Sequence, residues 1–151
     1  MKKVIIIMPV KYQSKRLKEK NILPIKNLPM FVYVAKKFIR SKIFSKLIVS
    51  TESHKIKKLC EDYDINYINR PKYLSKSHIE KQEVIVHAVK NLKMINKNDI
   101  IISLQPNSPE VKISDIKKAL NFFKNKLYKN SKIKELICVN RNNIQNPSFR
   151  I

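Results

Sequence analysis

Val4-Ile5-Ile6-Ile7-Met8-Pro9, near the start of a 151-residue chain, is the stretch that decides the fold. It is short, apolar and rich in β-branched residues, and a polar segment follows it, so it reads as a buried strand. Two lysines precede it, as they would the apolar core of a signal peptide. The run is short, however, and passes into Lys11-Tyr12-Gln13-Ser14-Lys15-Arg16 without a small-residue cleavage site, which argues for the strand.

Further runs of the same kind lie at Leu47 to Ser50, Ile65 to Ile68, Ile100 to Leu104 and Leu136 to Val139. Strands that are apolar throughout belong to a sheet covered on both faces. Helical spacing separates them. Phe31, Val34, Ala35, Phe38 and Ile39 share one face, with Pro29 suited to the first turn. Ile56, Leu59, Cys60 and Tyr63 form a second such face, and Ile85, Ala88, Val89 and Leu92 a third. Ile116, Ala119, Leu120, Phe123 and Leu127 form the last, with Ser114 or Asp115 placed to cap or charge its start. Alternation of this kind predicts an α/β fold, a three-layer sandwich with a mostly parallel sheet and right-handed crossovers. Ligands bind beyond the carboxyl ends of such strands. Residues 9–21, 50–53, 69–77 and 105–109 therefore share one rim.

Length and an apolar fraction of 43% predict one domain over residues 1–151, with a polar tail from about 140. No apolar run approaches the roughly 20 residues of a membrane span, so a soluble, cytoplasmic protein is expected. Cys60 and Cys138 have neither metal-ligand spacing nor a disulfide framework and read as reduced and structural. His54, His78 and His87 lack partners at metal-ligand spacing. Lys+Arg 33 against Asp+Glu 11 gives a net charge of +22, enough to attract any polyanion. The lysines are spread along every predicted helix, which fits solvated faces better than the basic stripe of a nucleic-acid surface.

The loop after the first strand is too long for a structural turn. It carries Lys11, Lys15, Arg16, Lys18 and Lys20 together with the Ser14 hydroxyl. Those groups could surround a triphosphate, or they could be the ordinary surface of a very basic protein. Order and spacing carry the reading further. Ser14-Lys15-Arg16 followed by Lys20-Asn21-Ile22-Leu23-Pro24 resembles the signature loop of the acylneuraminate cytidylyltransferases, which make CMP-sialic acid and its bacterial relatives. Ile48-Val49-Ser50-Thr51-Glu52, Asn69-Arg70-Pro71 and Leu104-Gln105-Pro106-Asn107-Ser108-Pro109 resemble that family's later motifs, in the same order.

The resemblance implies a Rossmann-like fold of the nucleotide-diphospho-sugar transferase type. It also implies a nucleotidyltransferase that moves CMP from CTP to an acidic, nonulosonic sugar and releases pyrophosphate, in the service of polysaccharide or glycan synthesis. It places Lys11, Ser14, Lys15, Lys20 and Asn21 around the triphosphate, with Lys15 and Lys20 catalytic, and Arg70, Gln105 and Ser108 nearer the base or sugar. It implies Mg²⁺, for which this chain offers no recognisable ligands, and a homodimer or a complementing subunit. Membrane and nucleic acid are not expected partners. Rival readings make Ser14 and Asn21 turn residues, Arg70 half of an ion pair, and Gln105 a satisfier of nearby backbone. Glu52 either touches ribose or charges a helix start.

The chain departs from the family in having no glycine, in carrying Ser77-His78-Ile79-Glu80-Lys81 after the Arg-Pro loop, and in Val111 where an arginine is usual. It also stops where family members continue, so an active short form competes with a non-catalytic nucleotide-binding remnant. A basic nucleic-acid-binding protein is the third class. A Kdo-activating enzyme is a close variant of the first; Asn107, where such enzymes usually have an acid, favours the sialic-acid type.

Overall fold

The opening apolar run forms strand β1 (Val4–Pro9), and Val4 to Met8 are all buried. Successive strand residues face opposite sides of a sheet, so unbroken burial means that both faces are covered. The computed structural model describes residues 2–13, 17, 19–92, 95–129, 132 and 135–137, with Leu127 and Tyr128 as backbone only. After β1 come a 3₁₀ turn (Lys20–Ile22), a hairpin of β2 (Pro24–Ile25) and β3 (Leu28–Pro29), α1 (Met30–Arg40), β4 (Lys46–Thr51) and α2 (His54–Asp62). Then follow β5 (Tyr67–Asn69), a second 3₁₀ turn (Lys72–Ser75), α3 (Lys81–Lys90), β6 (Ile100–Ser103) and α4 (Ile113–Lys129). The chain forms two compact units, Met1–Glu110 and Val111–Ile151. The first holds the sheet; the second holds α4.

The main sheet has the order β5-β4-β1-β6, and every neighbouring pair is parallel. The chain adds β4 and β5 on one side of β1 and then crosses over to place β6 on the other. The order thus reverses between β1 and β6, and the crevice beyond their carboxyl ends is the topological switch point where such sheets bind ligands.

The first helix buries the face that its sequence presents: Phe31, Val34, Ala35 and Phe38 are at most 1% exposed. Ile39, expected on that face, lies at its edge and is largely exposed. In α3 the buried stripe is Val84 and Ala88, one residue before the expected Ile85. The i, i+4 pair Val84 and Ala88 makes the seam, leaving Ile85 and Val89 at its margin. The segment Ile65 to Ile68 pairs later than expected, because Ile65 first closes the end of α2 by donating its amide to the Cys60 carbonyl at 2.8 Å. Leu136 and Ile137 are exposed and form no strand, and Cys138 and Val139 lie outside the described residues.

A chain without glycine must take its left-handed turns elsewhere. Lys26 (φ 48°) and Asn27 (φ 61°) form the two-residue connection of the β2–β3 hairpin, where positive φ at both positions suits the strand twist. Lys42 (φ 52°) and Asp64 (φ 54°) follow the caps of α1 and α2, the place where glycine usually ends a helix. Each costs about 1 kcal/mol relative to glycine.

Cys60 is fully buried on α2, and burial pushes its thiol up to about 12. The thiolate is the reactive form, so Cys60 is inert near neutral pH. Iodoacetamide at pH 8 should leave Cys60 unmodified in the folded protein and modify it fully after denaturation, as read by peptide mass spectrometry. Rapid labelling of Cys60 in the native state would show that α2 opens readily.

Candidate active site

Five loops and turns bound an open cleft of about 910 Å³ at the switch point. The loop after β1 supplies Lys11, Tyr12 and Gln13, and the first 3₁₀ turn supplies Lys20 and Asn21. Arg70 follows β5, the second 3₁₀ turn leads into Lys76, His78 and Lys81, and Gln105, Pro106 and Asn107 follow β6. Among the described residues, five cationic side chains, Lys11, Lys20, Arg70, Lys76 and Lys81, line this space against a single carboxylate, Glu19. A concave, cationic site favours polyanionic ligands.

Asn21 is 4% exposed, and its Nδ2 donates to the Lys11 carbonyl at 2.7 Å. That bond fixes the amide, so Oδ1 is a buried acceptor with no donor among the described residues. Lys11 turns its ammonium to the carbonyls of Ser75 (2.6 Å) and Lys76 (3.4 Å), joining two walls of the cleft. The ε-amino group expected at a triphosphate is therefore also a tie between loops. Lys20 makes no side-chain hydrogen bond among the described residues and stands in the cleft wall.

Arg70 is the largest fully buried side chain among the described residues. Its Nη2 donates to the Val10 carbonyl at 3.2 Å and to Glu52 Oε2. Its Nε and Nη1 are buried with no acceptor among the described residues. Burial alone would raise the Glu52 carboxyl, but the hydrogen bond and charge of the Arg70 guanidinium, with the Ser75 hydroxyl nearby, outweigh it and hold the group below its ordinary value. Glu52 thus stands behind Arg70 as its counter-ion. Of its two expected roles, touching ribose or charging a helix start, neither describes this contact.

Of the residues singled out from sequence, the cleft brings together Lys11, Lys20, Asn21, Arg70 and Gln105. Ser108 lies just past the lining residues, and Asn107 takes the rim in its place. Ser14 and Lys15 lie outside the described residues. Lys76 and Lys81 were not singled out as site residues, because nothing distinguishes them from the lysine background; Lys76 had its place on the rim as a signal, and Lys81 its place in the segment that departs from the family. Glu19 is bonded to Tyr12 and to Lys55, and Glu52 to Arg70. No group of three or more His, Cys, Asp or Glu side chains among the described residues could hold a metal. The residues described do not fit a Mg²⁺ site, and no step is assigned to one. No helix among them is long and apolar enough to cross a membrane.

A parallel sheet with a cationic crevice at its switch point places the chain in the Rossmann-like class of α/β proteins. Within that class it belongs to the cytidylyltransferase family of nucleotidyltransferases, whose family model, described as Cytidylyltransferase, matches residues 5–148. It is 32% identical over 107 residues to the N-acylneuraminate cytidylyltransferase of Escherichia coli O18:K1:H7, covering 71% of this chain and 25% of that protein. It is 29% identical over 118 residues to the 3-deoxy-manno-octulosonate cytidylyltransferase of Lawsonia intracellularis, covering 78% of this chain and 44% of that one. Its fold is similar to that of CMP:2-keto-3-deoxy-manno-octonic acid synthetase, solved with CTP, with a TM-score of 0.70 and 20% identity over 87% of this chain and 49% of that one. The chain thus spans less than half the length of each of these proteins.

Proposed function

We propose that the cleft binds CTP and serves the transfer of CMP to an acidic sugar of the acylneuraminate type. The observation that carries this reading is Arg70: a buried guanidinium whose Nε and Nη1 donors have no acceptor among the described residues, at the switch point of a parallel sheet. Unsatisfied buried donors of a charged group are costly, so a ligand that supplies acceptors is the natural completion. Asn21 Oδ1 offers the complementary group, a buried acceptor for an N–H or O–H of the ligand.

In the proposed reaction the sugar's anomeric oxygen forms a bond to the α-phosphorus of CTP. The bond from that phosphorus to the bridging oxygen breaks, pyrophosphate leaves with the electron pair, and the hydroxyl proton passes to solvent. Positioning and charge neutralisation supply most of the acceleration in such transfers. Lys20, Lys76 and Lys81 offer mobile charge to the phosphates, and Lys11 holds the two walls at their spacing. The resemblance adds Ser14 and Lys15 to the phosphate contacts and gives Lys15 and Lys20 the catalytic role. Relatives carry names for both N-acylneuraminate and 3-deoxy-manno-octulosonate; Asn107, which lines the cleft, favours the former. A nucleotide-binding role without transfer is the second reading, favoured by the lack of a carboxylate cluster among the described residues.

Calorimetric titration with CTP, beside ATP and GTP at two salt concentrations, tests the first claim. CTP should bind preferentially and persist at the higher salt. Equal binding of all three that salt abolishes would reduce the cleft to a polyanion surface. Pyrophosphate release with N-acetylneuraminate, or its absence despite CTP binding, then separates transferase from nucleotide-binding subunit.

A further inference from the structure

The loop after β1 is closed by side chains. Tyr12 and Glu19 stand at its two ends, and the Tyr12 hydroxyl donates to Glu19 Oε1. Lys55, from the first turn of α2, donates to the Tyr12 hydroxyl at 2.9 Å, pairs with Glu19 Oε2 at 3.7 Å, and lies 4.9 Å from the Tyr12 ring centroid. Each of the three groups thus touches the other two. A second closure runs beside the first, from Asn21 to the Lys11 carbonyl.

Three observations set this cluster apart from an ordinary surface ion pair. A cation in the first turn of a helix opposes the helix dipole, and the first turn of α2 has no acidic residue to offset it. The position of Lys55 therefore serves something other than α2. Glu19 adopts a left-handed backbone (φ 55°), a conformation that costs a non-glycine residue free energy and persists only where its surroundings hold it. And a chain with no glycine cannot shape a phosphate-facing loop through backbone freedom, so the shape must be imposed by side chains.

We propose that Tyr12, Glu19 and Lys55 form a clasp, and that Lys55 is a positioning residue for the nucleotide site although it does not line the cleft. The clasp acts in two ways. It fixes the backbone that leads into Lys20 and Asn21, since the Ile22 amide donates to the Glu19 carbonyl at 2.9 Å and the Leu23 amide to the Lys20 carbonyl at 3.3 Å. It also sets the Lys55 ammonium against Glu19, a carboxylate that lines the cleft and adds negative charge where a polyphosphate would lie. The Tyr12 hydroxyl and Glu19 hold the Lys55 amine above its usual range.

The inference rests on the nucleotide reading only where it concerns affinity, and its test separates the two. In Lys55→Met, CTP affinity should fall roughly tenfold with an unchanged melting temperature, because the pair is exposed and contributes little to global stability. Adding Glu19→Gln should restore most of that loss, since glutamine keeps a bond to Tyr12 and carries no charge. If Lys55 were merely one more surface cation, Glu19→Gln would raise affinity equally with and without it, and that additive result would overturn the proposal. Amide hydrogen exchange on the unliganded protein gives a second readout, with Ile22 and Leu23 exchanging about tenfold faster in Lys55→Met. Unchanged exchange at both amides would also overturn it. Should the wild-type chain bind no CTP, the nucleotide reading fails and the clasp stands or falls on exchange alone. Should it bind CTP while Lys55→Met matches it in both measurements, the clasp fails and the nucleotide reading survives.

Discussion

Replacing Arg70 by methionine is expected to weaken CTP binding by a hundredfold or more. Nε and Nη1 are buried beside the cleft with no acceptor among the described residues, whereas Nη2 is already committed to Val10 and Glu52. If the nucleotide supplies two acceptors, their loss removes two charge-assisted bonds of about 1.5–3 kcal/mol each. At about 1.4 kcal/mol per tenfold, the smaller sum already exceeds two orders of magnitude. The single substitution also strands the half-buried Glu52 carboxylate, so a fall in affinity could reflect local collapse. Arg70→Met combined with Glu52→Leu removes both charges, and replacement of a whole buried pair by apolar residues is often neutral for stability. Calorimetric titration of that double variant should still show the hundredfold loss, with a melting temperature close to that of wild type. Binding within tenfold of wild type would mean that the orphan donors face something other than the nucleotide.

Legibility in the sequence followed the range of the interactions. Local pattern was enough for β1, because an apolar β-branched run has few other uses, and for α1, where Phe31, Val34, Ala35 and Phe38 all reach the core. In α3 it picked Ala88 correctly but took Ile85 where Val84 is buried, because an even scatter of apolar residues left two neighbouring stripes to choose between. The strand order could only be expected in outline, since which side of β1 receives β6 is a property of packing and not of any segment. Among site residues, Asn21 and Arg70 were legible as motif members, but their unused atoms were not. Arg70 is held by Glu52, 18 residues earlier, and by the Val10 carbonyl, 60 residues earlier; no spacing rule connects them. Lys55 was hidden for the same reason. Its partners lie in the loop after β1, far away in sequence, and in so basic a chain one lysine looks like the next.

Glu52→Ala should cost about 3 kcal/mol of folding stability, the second large effect expected here. Arg70 has no exposed side-chain surface, and Glu52 only 17%, so removing the carboxylate leaves a buried cation whose one remaining acceptor among the described residues is the Val10 carbonyl. For a domain of this size that corresponds to a melting temperature lower by roughly 6–12 °C. Glu52→Gln, which keeps an acceptor oxygen, should lose less. The pH dependence has a definite sign. The folded carboxyl lies below its ordinary value, because the hydrogen bond and charge of Arg70, with the Ser75 hydroxyl nearby, outweigh the burial that raises it. A depressed carboxyl stabilises the fold fully above its unfolded value, and that stabilisation disappears as pH falls through the folded one. The stability gap between wild type and Glu52→Gln, measured by urea unfolding, should therefore be constant near neutrality and close progressively in acid. A gap that widens on acidification would mean that burial, and not Arg70, governs this carboxyl. The pair would then be a strained element of the cleft instead of the support that keeps the guanidinium in place for its ligand.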